Sequence, residues 1–423
     1  MAIEYRALLI LAFMIIGFLL NKWPRGLTTM TCCLLFCLTG VLDLKTSFSG
    51  ITNNTVLMIA GLFPAINAMQ RTRAMVKLKG IVGMLANKSG FTLLLGFMAI
   101  LIVFSQFFGT TAGVPLLLSF LCTLPDGDDI SVSRLAIPVA GLAAMWQYTF
   151  PVGMSLALPM ELNSYYEAMI SDSSQLITLV DLMKLKMLPC LLVTAWTFFA
   201  YKLMPNVQAN IALASKGVKE SEQLPVWKEW VIYIVMIADM VCLFLGSKIG
   251  QWMYLVPLIG LFVLAYSKAV PVPTIVKEIT SDTIWMIAGI LVMSTALNSS
   301  GAGKLLGETI LGLLGENPSN VVALLIFGGA TGIMTNLMSN IASRAVVTPI
   351  AAVTAISAGW NPVPFVLTVS QMAWCAVVLP SASSAAALGH ATSNQQLKDS
   401  LKYTIPFFFL ALGGCIVSAL LFF

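Results

Sequence analysis

The densest set of groups able to hold a small solute is the run Thr335-Asn336-Leu337-Met338-Ser339-Asn340-Ile341-Ala342-Ser343-Arg344, a polar island in a long apolar region. Ser339 and Asn340 offer a hydroxyl and an amide. Arg344 stands one helical turn further on, about 6 Å along the axis, where its guanidinium can fork two oxygens of a carboxylate or sulfate. Smaller polar clusters occur at Gly109-Thr110-Thr111-Ala112 and at Leu379-Pro380-Ser381-Ala382-Ser383. Free N–H groups at helix N-termini attract anions, and exposed carbonyls suit a hard cation such as Na⁺. The substrate-side candidates are therefore Ser339, Asn340, Arg344, Thr110, Thr111, Ser381 and Ser383. Backbone oxygens at Gly109, Thr110, Ser339 and Asn340 are candidates for the cation. Asp239, in the middle of an apolar segment, is a coupling candidate, because an acid at bilayer depth can relay protons.

Other chemistries lack their residues. One histidine, His390, argues against a His-based metal site or a Ser-His-Asp triad. No paired carboxylate or His-Glu-x-x-His motif stands out, so a membrane-embedded enzyme is a remote alternative and the chain is expected not to be an enzyme, nor to need a cofactor beyond a coupling ion. The eight cysteines have no C-x-x-C spacing and sit in or beside apolar segments, as small core residues do. The net charge of +5 comes without a basic and aromatic patch, which argues against nucleic acid as a partner.

The elements that must position these groups are membrane helices. Of 423 residues 58% are hydrophobic and 10% charged, and the mean hydropathy is +0.92. The fold class is an all-α polytopic membrane protein, placed in a bacterial inner membrane. Helices are expected near 7–20, 27–42, 55–69, 135–145, 176–203, 231–245, 253–266, 284–297, 364–374 and 405–422. The first is read as a retained helix, because no A-x-A-like site follows it. Two re-entrant hairpins with polar tips are expected, one at about 91–122, whose arms are short, and one at about 321–358; irregular backbone at bilayer depth must be covered by protein or line a wet cavity. Broken helices are expected at Trp146–Gly153 and Cys375–Ser381. Arg71, Arg73, Lys77, Lys79 and Lys88, with apolar residues between them, suit an amphipathic interfacial helix. Residues 205–226 form a polar cytoplasmic linker between a first half, 1–204, and a second, 227–423.

The halves repeat. A shift of 228 carries Thr55, Met58, Ile59, Ala60 and Gly61 onto Thr283, Met286, Ile287, Ala288 and Gly289, carries Trp146 onto Trp374, and sets Thr111 on Ser339. The tryptophans are read as packing residues. Five cations follow the third helix without an acid, whereas Lys304 is offset by Glu308 and Glu316 after its counterpart. The positive-inside rule then makes the repeats inverted, each with five crossings and a hairpin, with Lys22 and Arg25 on the cytoplasmic side. Inverted repeats with broken helices are the mark of secondary transporters.

Met338-Ser339-Asn340-Ile341-Ala342, with Pro349 and Ile350 downstream, resembles the Ser-Asn-Thr hairpin signature of the divalent anion/sodium symporters of the ion transporter superfamily. The resemblance implies a homodimer, elevator-type movement and Na⁺-coupled transport of di- or tricarboxylate or sulfate, with Ser339, Asn340 and Ile341 contacting substrate and cation. The chain departs from that pattern: Ile341 replaces Thr, the first tip has no Asn, and Arg344 lies outside the signature. A proton-coupled carrier or an anion exchanger is the alternative reading.

Overall fold

The computed structural model describes all residues except 1, 21, 70, 74–89, 123–130, 171, 212–223, 246–248 and 315–318, and the side chains at 19, 90, 111, 112, 154, 173, 244 and 314. The proposed amphipathic segment beyond Arg73 and most of the polar linker lie outside the described residues. Among those described the chain is helical, with no strand. The helices are α1 Ile3–Leu20, α2 Arg25–Leu38, α3 Asn54–Met69, α4 Gly90–Phe107, α5 Thr110–Leu121, α6 Val132–Trp146, α7 Leu158–Asn163, α8 Leu179–Ala200, α9 Val226–Leu245, α10 Trp252–Tyr266, α11 Val272–Ile279, α12 Asp282–Ser299, α13 Ala302–Leu314, α14 Asn320–Leu337, α15 Asn340–Ser357, α16 Pro362–Met372, α17 Ser384–Ser393 and α18 Leu397–Phe422. Among the described residues five helical stretches are long and apolar enough to cross a bilayer, including both arms of the second hairpin and the stretch that holds α8.

The helices divide into two packed bodies. In the first, α2 lies on α12 and α1, while α10 lies on α3 and α9. In the second, α4 and α5 pack on α6, α14 and α15 pack on α16, and α18 packs along α8. Helix α13 touches both, lying on α15 on one side and on α1 and α12 on the other.

The packing accounts for part of the repeat. A Cβ on Gly61 would fall 2.6 Å from the Pro257 carbonyl carbon on α10, and one on Gly289 would fall 2.4 Å from the Thr29 Cβ on α2. Each glycine ends the shared Met-Ile-Ala-Gly and lets a neighbouring helix approach to backbone contact. The two halves thus use the same residue for reciprocal contacts.

Two expectations are revised. The first arm of the first hairpin, Gly90–Phe107, is 18 residues, about 27 Å long, and so is not short, and the arms of the second hairpin are 18 residues each. The first hairpin turns at Phe108–Gly109, with Thr110 and Thr111 already helical. Gly109, not Thr111, therefore corresponds to Ser339. The tips are related by a shift of 230, two more than the flanking helices, because the turn is fixed by where each arm stops.

Candidate functional site

A cavity of about 170 Å³ opens between the two bodies. Arg25, Ile59, Phe63, Asp282, Thr283, Met286 and Ile287 line it from the first body; Tyr148, Ala157, Leu158, Glu161, Ile341, Arg344 and Trp374 line it from the second hairpin, the helix breaks and α7.

Each charged group has an identifiable support. The turn at Met338 and Ser339 leaves α15 needing a cap, and the Ser339 hydroxyl accepts from the Ala342 N–H at 3.3 Å. Arg344 then projects from the first turns of α15, 4% exposed, and pairs with Glu161 on α7. From the first body Arg25 donates to the Ser339 Oγ at 2.8 Å. Asp282 accepts from the backbone N–H groups of Arg25 and Gly26 at 3.1 and 2.8 Å. It caps α2, whose own N-cap, Pro24, offers no side-chain acceptor. The ring centres of Tyr148 and Trp374, one from each helix break, lie 5.5 Å apart. Tyr148 is held at φ 63°, in the left-handed region that non-glycine residues seldom occupy.

Among the residues that line the cavity, four buried side-chain atoms make no hydrogen bond: Nε and Nη1 of Arg344, Nε of Arg25 and Nε1 of Trp374. All four are N–H donors. Leaving a buried donor without a partner costs about 1–3 kcal/mol, more when the group is charged. The site is therefore built to receive acceptor oxygens, and carboxylate oxygens meet guanidinium donors best.

The breaks are held open by amides. Gln106, at the end of α4, donates to the carbonyls of Ile102 and Trp146 and accepts from the N–H groups of Thr149 and Phe150 at 3.2 and 3.0 Å. Asn336, at the end of α14, donates to the carbonyls of Gly332 and Cys375 and accepts from the N–H groups of Val378 and Leu379 at 2.9 and 3.3 Å. The two amides differ in position by 230, as the tips do. The first hairpin does carry an amide, one turn before its tip.

The sequence-derived candidates are distributed unevenly. Ile341 and Arg344 line the cavity and Ser339 bonds to its wall. Asn340, 7% exposed, accepts from the Thr335 hydroxyl at 3.1 Å. Gly109 caps α5 and Thr110 begins it; neither lines the cavity, and the Thr111 side chain lies outside the described residues. Ser383 caps α17 through the Ala386 N–H and Ser381 faces outward, so neither enters the cavity. Asp239 lies in the first body, 0% exposed, with both carboxyl oxygens unpartnered and Gly260 beside it. Of the tryptophans, Trp146 packs and donates to Thr194 at 2.8 Å, whereas Trp374 faces the cavity. Arg25 is redirected from loop charge to the hairpin tip, because its helix starts against the cavity. Arg25, Glu161, Tyr148, Gln106 and Asp282 were not among the site residues expected from the sequence. Glu161 and Arg25 carried one available signal, a charge flanked by apolar segments.

A family model described as citrate transporter (CitMHS) matches residues 8–370. The chain belongs to the citrate transporter family. Membership is consistent with the ion transporter superfamily, to which the hairpin resemblance points, and it makes the protein a transporter and not an enzyme. Curated relatives include the uncharacterized transporter YfbS of Escherichia coli, 25% identical over 143 residues, 33% of this chain and 23% of YfbS. Another is the uncharacterized transporter sll0640 of Synechocystis, 31% identical over 111 residues, 26% of this chain and 18% of that protein. The chain thus aligns with about a fifth of the length of these relatives. The fold of this citrate transporter family member is similar to that of Neisseria gonorrhoeae MtrF, of a class of antimetabolite efflux pumps, with TM-score 0.60 and 12% identity over 99% of this chain and 95% of MtrF. It is also similar to the Alcanivorax borkumensis YdaH transporter, which has an unusual topology, with TM-score 0.57 and 16% identity over 99% and 96%.

Proposed function

We propose that the protein is a secondary active carrier of small polycarboxylates of the citrate class, in the plasma membrane of a bacterium, driven by Na⁺ symport. The observation that carries this reading is the set of four unpartnered N–H donors on Arg25, Arg344 and Trp374 around one cavity. A polycarboxylate can offer charged acceptor oxygens to both guanidinium groups at once, and these bonds are stronger than those a neutral solute can offer. Ser339, Asn340 and Ile341 form the tip that carries the solute.

The cavity's position between two bodies supports an elevator-type movement. Arg25 belongs to one body and Ser339 to the other, so sliding breaks their hydrogen bond and exposes the site on the opposite side. The polar tip residues Thr335, Asn336 and Asn340 are buried within the protein, as a re-entrant hairpin requires. Inverted halves and a homodimer complete the reading, from charge bias and resemblance respectively.

The test is uptake of radiolabelled citrate into proteoliposomes with an imposed Na⁺ gradient. Accumulation that collapses when the gradient is dissipated supports the proposal. Uptake of citrate that ignores Na⁺ but follows a proton gradient replaces symport with Na⁺ by the proton-coupled alternative. No binding or uptake of any di- or tricarboxylate overturns the substrate class.

A further inference from the structure

Lys186 is a charged group to which none of this gives a role. It lies on α8, within a stretch long and apolar enough to cross the bilayer, and its side chain is 2% exposed. Its Nζ donates to the Gln147 carbonyl at the first helix break, at 2.5 Å, and stands 5.7 Å from the centre of the Tyr148 ring. That ring lines the cavity. Among the described residues no carboxylate pairs with it.

Satisfying a carbonyl does not need a charge. The other carbonyls freed near the breaks are met by neutral side chains: Trp146 by Gln106, Ala373 by Thr335, Cys375 by Asn336 and Val377 by the ring of His390. An ammonium taken out of water carries a desolvation penalty that a neutral group does not, so an amide at position 186 would do the same bonding at lower cost. The charge has a use of its own, and geometry gives one. Arg25 and Arg344 are offset by Asp282 and Glu161 around the cavity, and Lys186 leaves the layer with one cation in excess, held against the face of the Tyr148 ring.

We propose that the Lys186 ammonium is a tethered cation at the first helix break, in the place and role of a coupling Na⁺. It rests on the carrier reading only in supposing that the breaks are where cations act. It holds positive charge behind Tyr148 for the anion in the cavity, and it neutralises the break carbonyl permanently. The first half then needs no Na⁺, and any coupling Na⁺ binds in the second half, near Ser339 and Asn340. A tethered charge returns with the empty carrier, so it adds nothing to ion stoichiometry.

The experiment compares melting temperatures of the purified full-length protein in NaCl and in choline chloride, with no organic anion present. Wild type, Lys186→Met, Lys186→Gln and Lys186→Arg are measured. Lys186→Met is expected to melt several degrees lower than wild type in choline chloride and to gain a Na⁺-dependent rise larger than wild type shows; Lys186→Arg is expected to match wild type. Equal Na⁺ dependence in Lys186→Met and wild type overturns the proposal. So does a Lys186→Gln protein that behaves as wild type in both salts, because then only the hydrogen bond matters; this variant also carries the test if Lys186→Met does not fold. A second arm adds citrate. Its failure to stabilise wild type counts against the substrate class alone and leaves the salt comparison standing.

Discussion

At the scale of single residues, Arg344 is held by Glu161 but not satisfied by it. Two of its nitrogens remain without acceptors, so its partner and a substrate carboxylate can share or exchange the guanidinium. Removing the guanidinium removes charge-assisted bonds worth about 1.5–3 kcal/mol, which is roughly a 10- to 100-fold change in affinity. Arg344→Gln should raise the KM for citrate by that factor in proteoliposome uptake, and an unchanged KM would remove Arg344 from the site. Glu161→Gln has the opposite signature. It leaves a buried guanidinium unpaired, at a cost of about 3 kcal/mol, so the variant should melt lower than wild type without ligand. Added citrate replaces the missing carboxylate and should stabilise this variant by more degrees than it stabilises wild type.

At the scale of elements, the helix breaks depend on one amide each. Gln106 and Asn336 each meet two carbonyls and two N–H groups. Leucine at either position keeps the volume and strands those groups, at about 1–3 kcal/mol for each one left unmet. Asn336→Leu and Gln106→Leu should both lower the melting temperature by several degrees, and by similar amounts if the two breaks are equivalent supports. The helix contacts at Gly61 and Gly289 make a matched pair of tests. Alanine at either position must push helices apart, with overpacking costs of about 1–3 kcal/mol, visible as reduced stability in detergent. The sequence repeat already marked both glycines; it did not say that each faces a helix of the other half, because shared residue types do not specify which helices meet.

For the whole molecule, the division into two bodies with the site between them is the feature on which the proposed elevator-type movement turns. Ile59 lines the cavity from one body and Ile341 from the other. In a background with the eight native cysteines replaced, cysteines at 59 and 341 joined by a mercury or bifunctional thiol reagent should arrest uptake, and each single cysteine should not. Uptake that persists in the cross-linked protein would argue that the bodies do not move past each other.

Sequence by itself determined the class of the molecule. A chain this apolar has to satisfy its backbone in helices, and a polar island with an arginine inside it has to be a site or be paired. It also fixed where helices break, since Trp146 to Pro151 and Cys375 to Pro380 interrupt apolar runs with groups that do not continue a helix. Only the tertiary structure decided which polar groups converge. Arg25 and Ser339 are separated by 314 positions and Arg344 and Glu161 by 183, and no local periodicity connects such pairs. The same holds for Ser381 and Ser383, plausible ligands by type but turned away from the cavity by the cap that Ser383 gives α17. Composition sets how many polar groups a membrane interior must satisfy; the packing of the two bodies selects which of them are left over to bind.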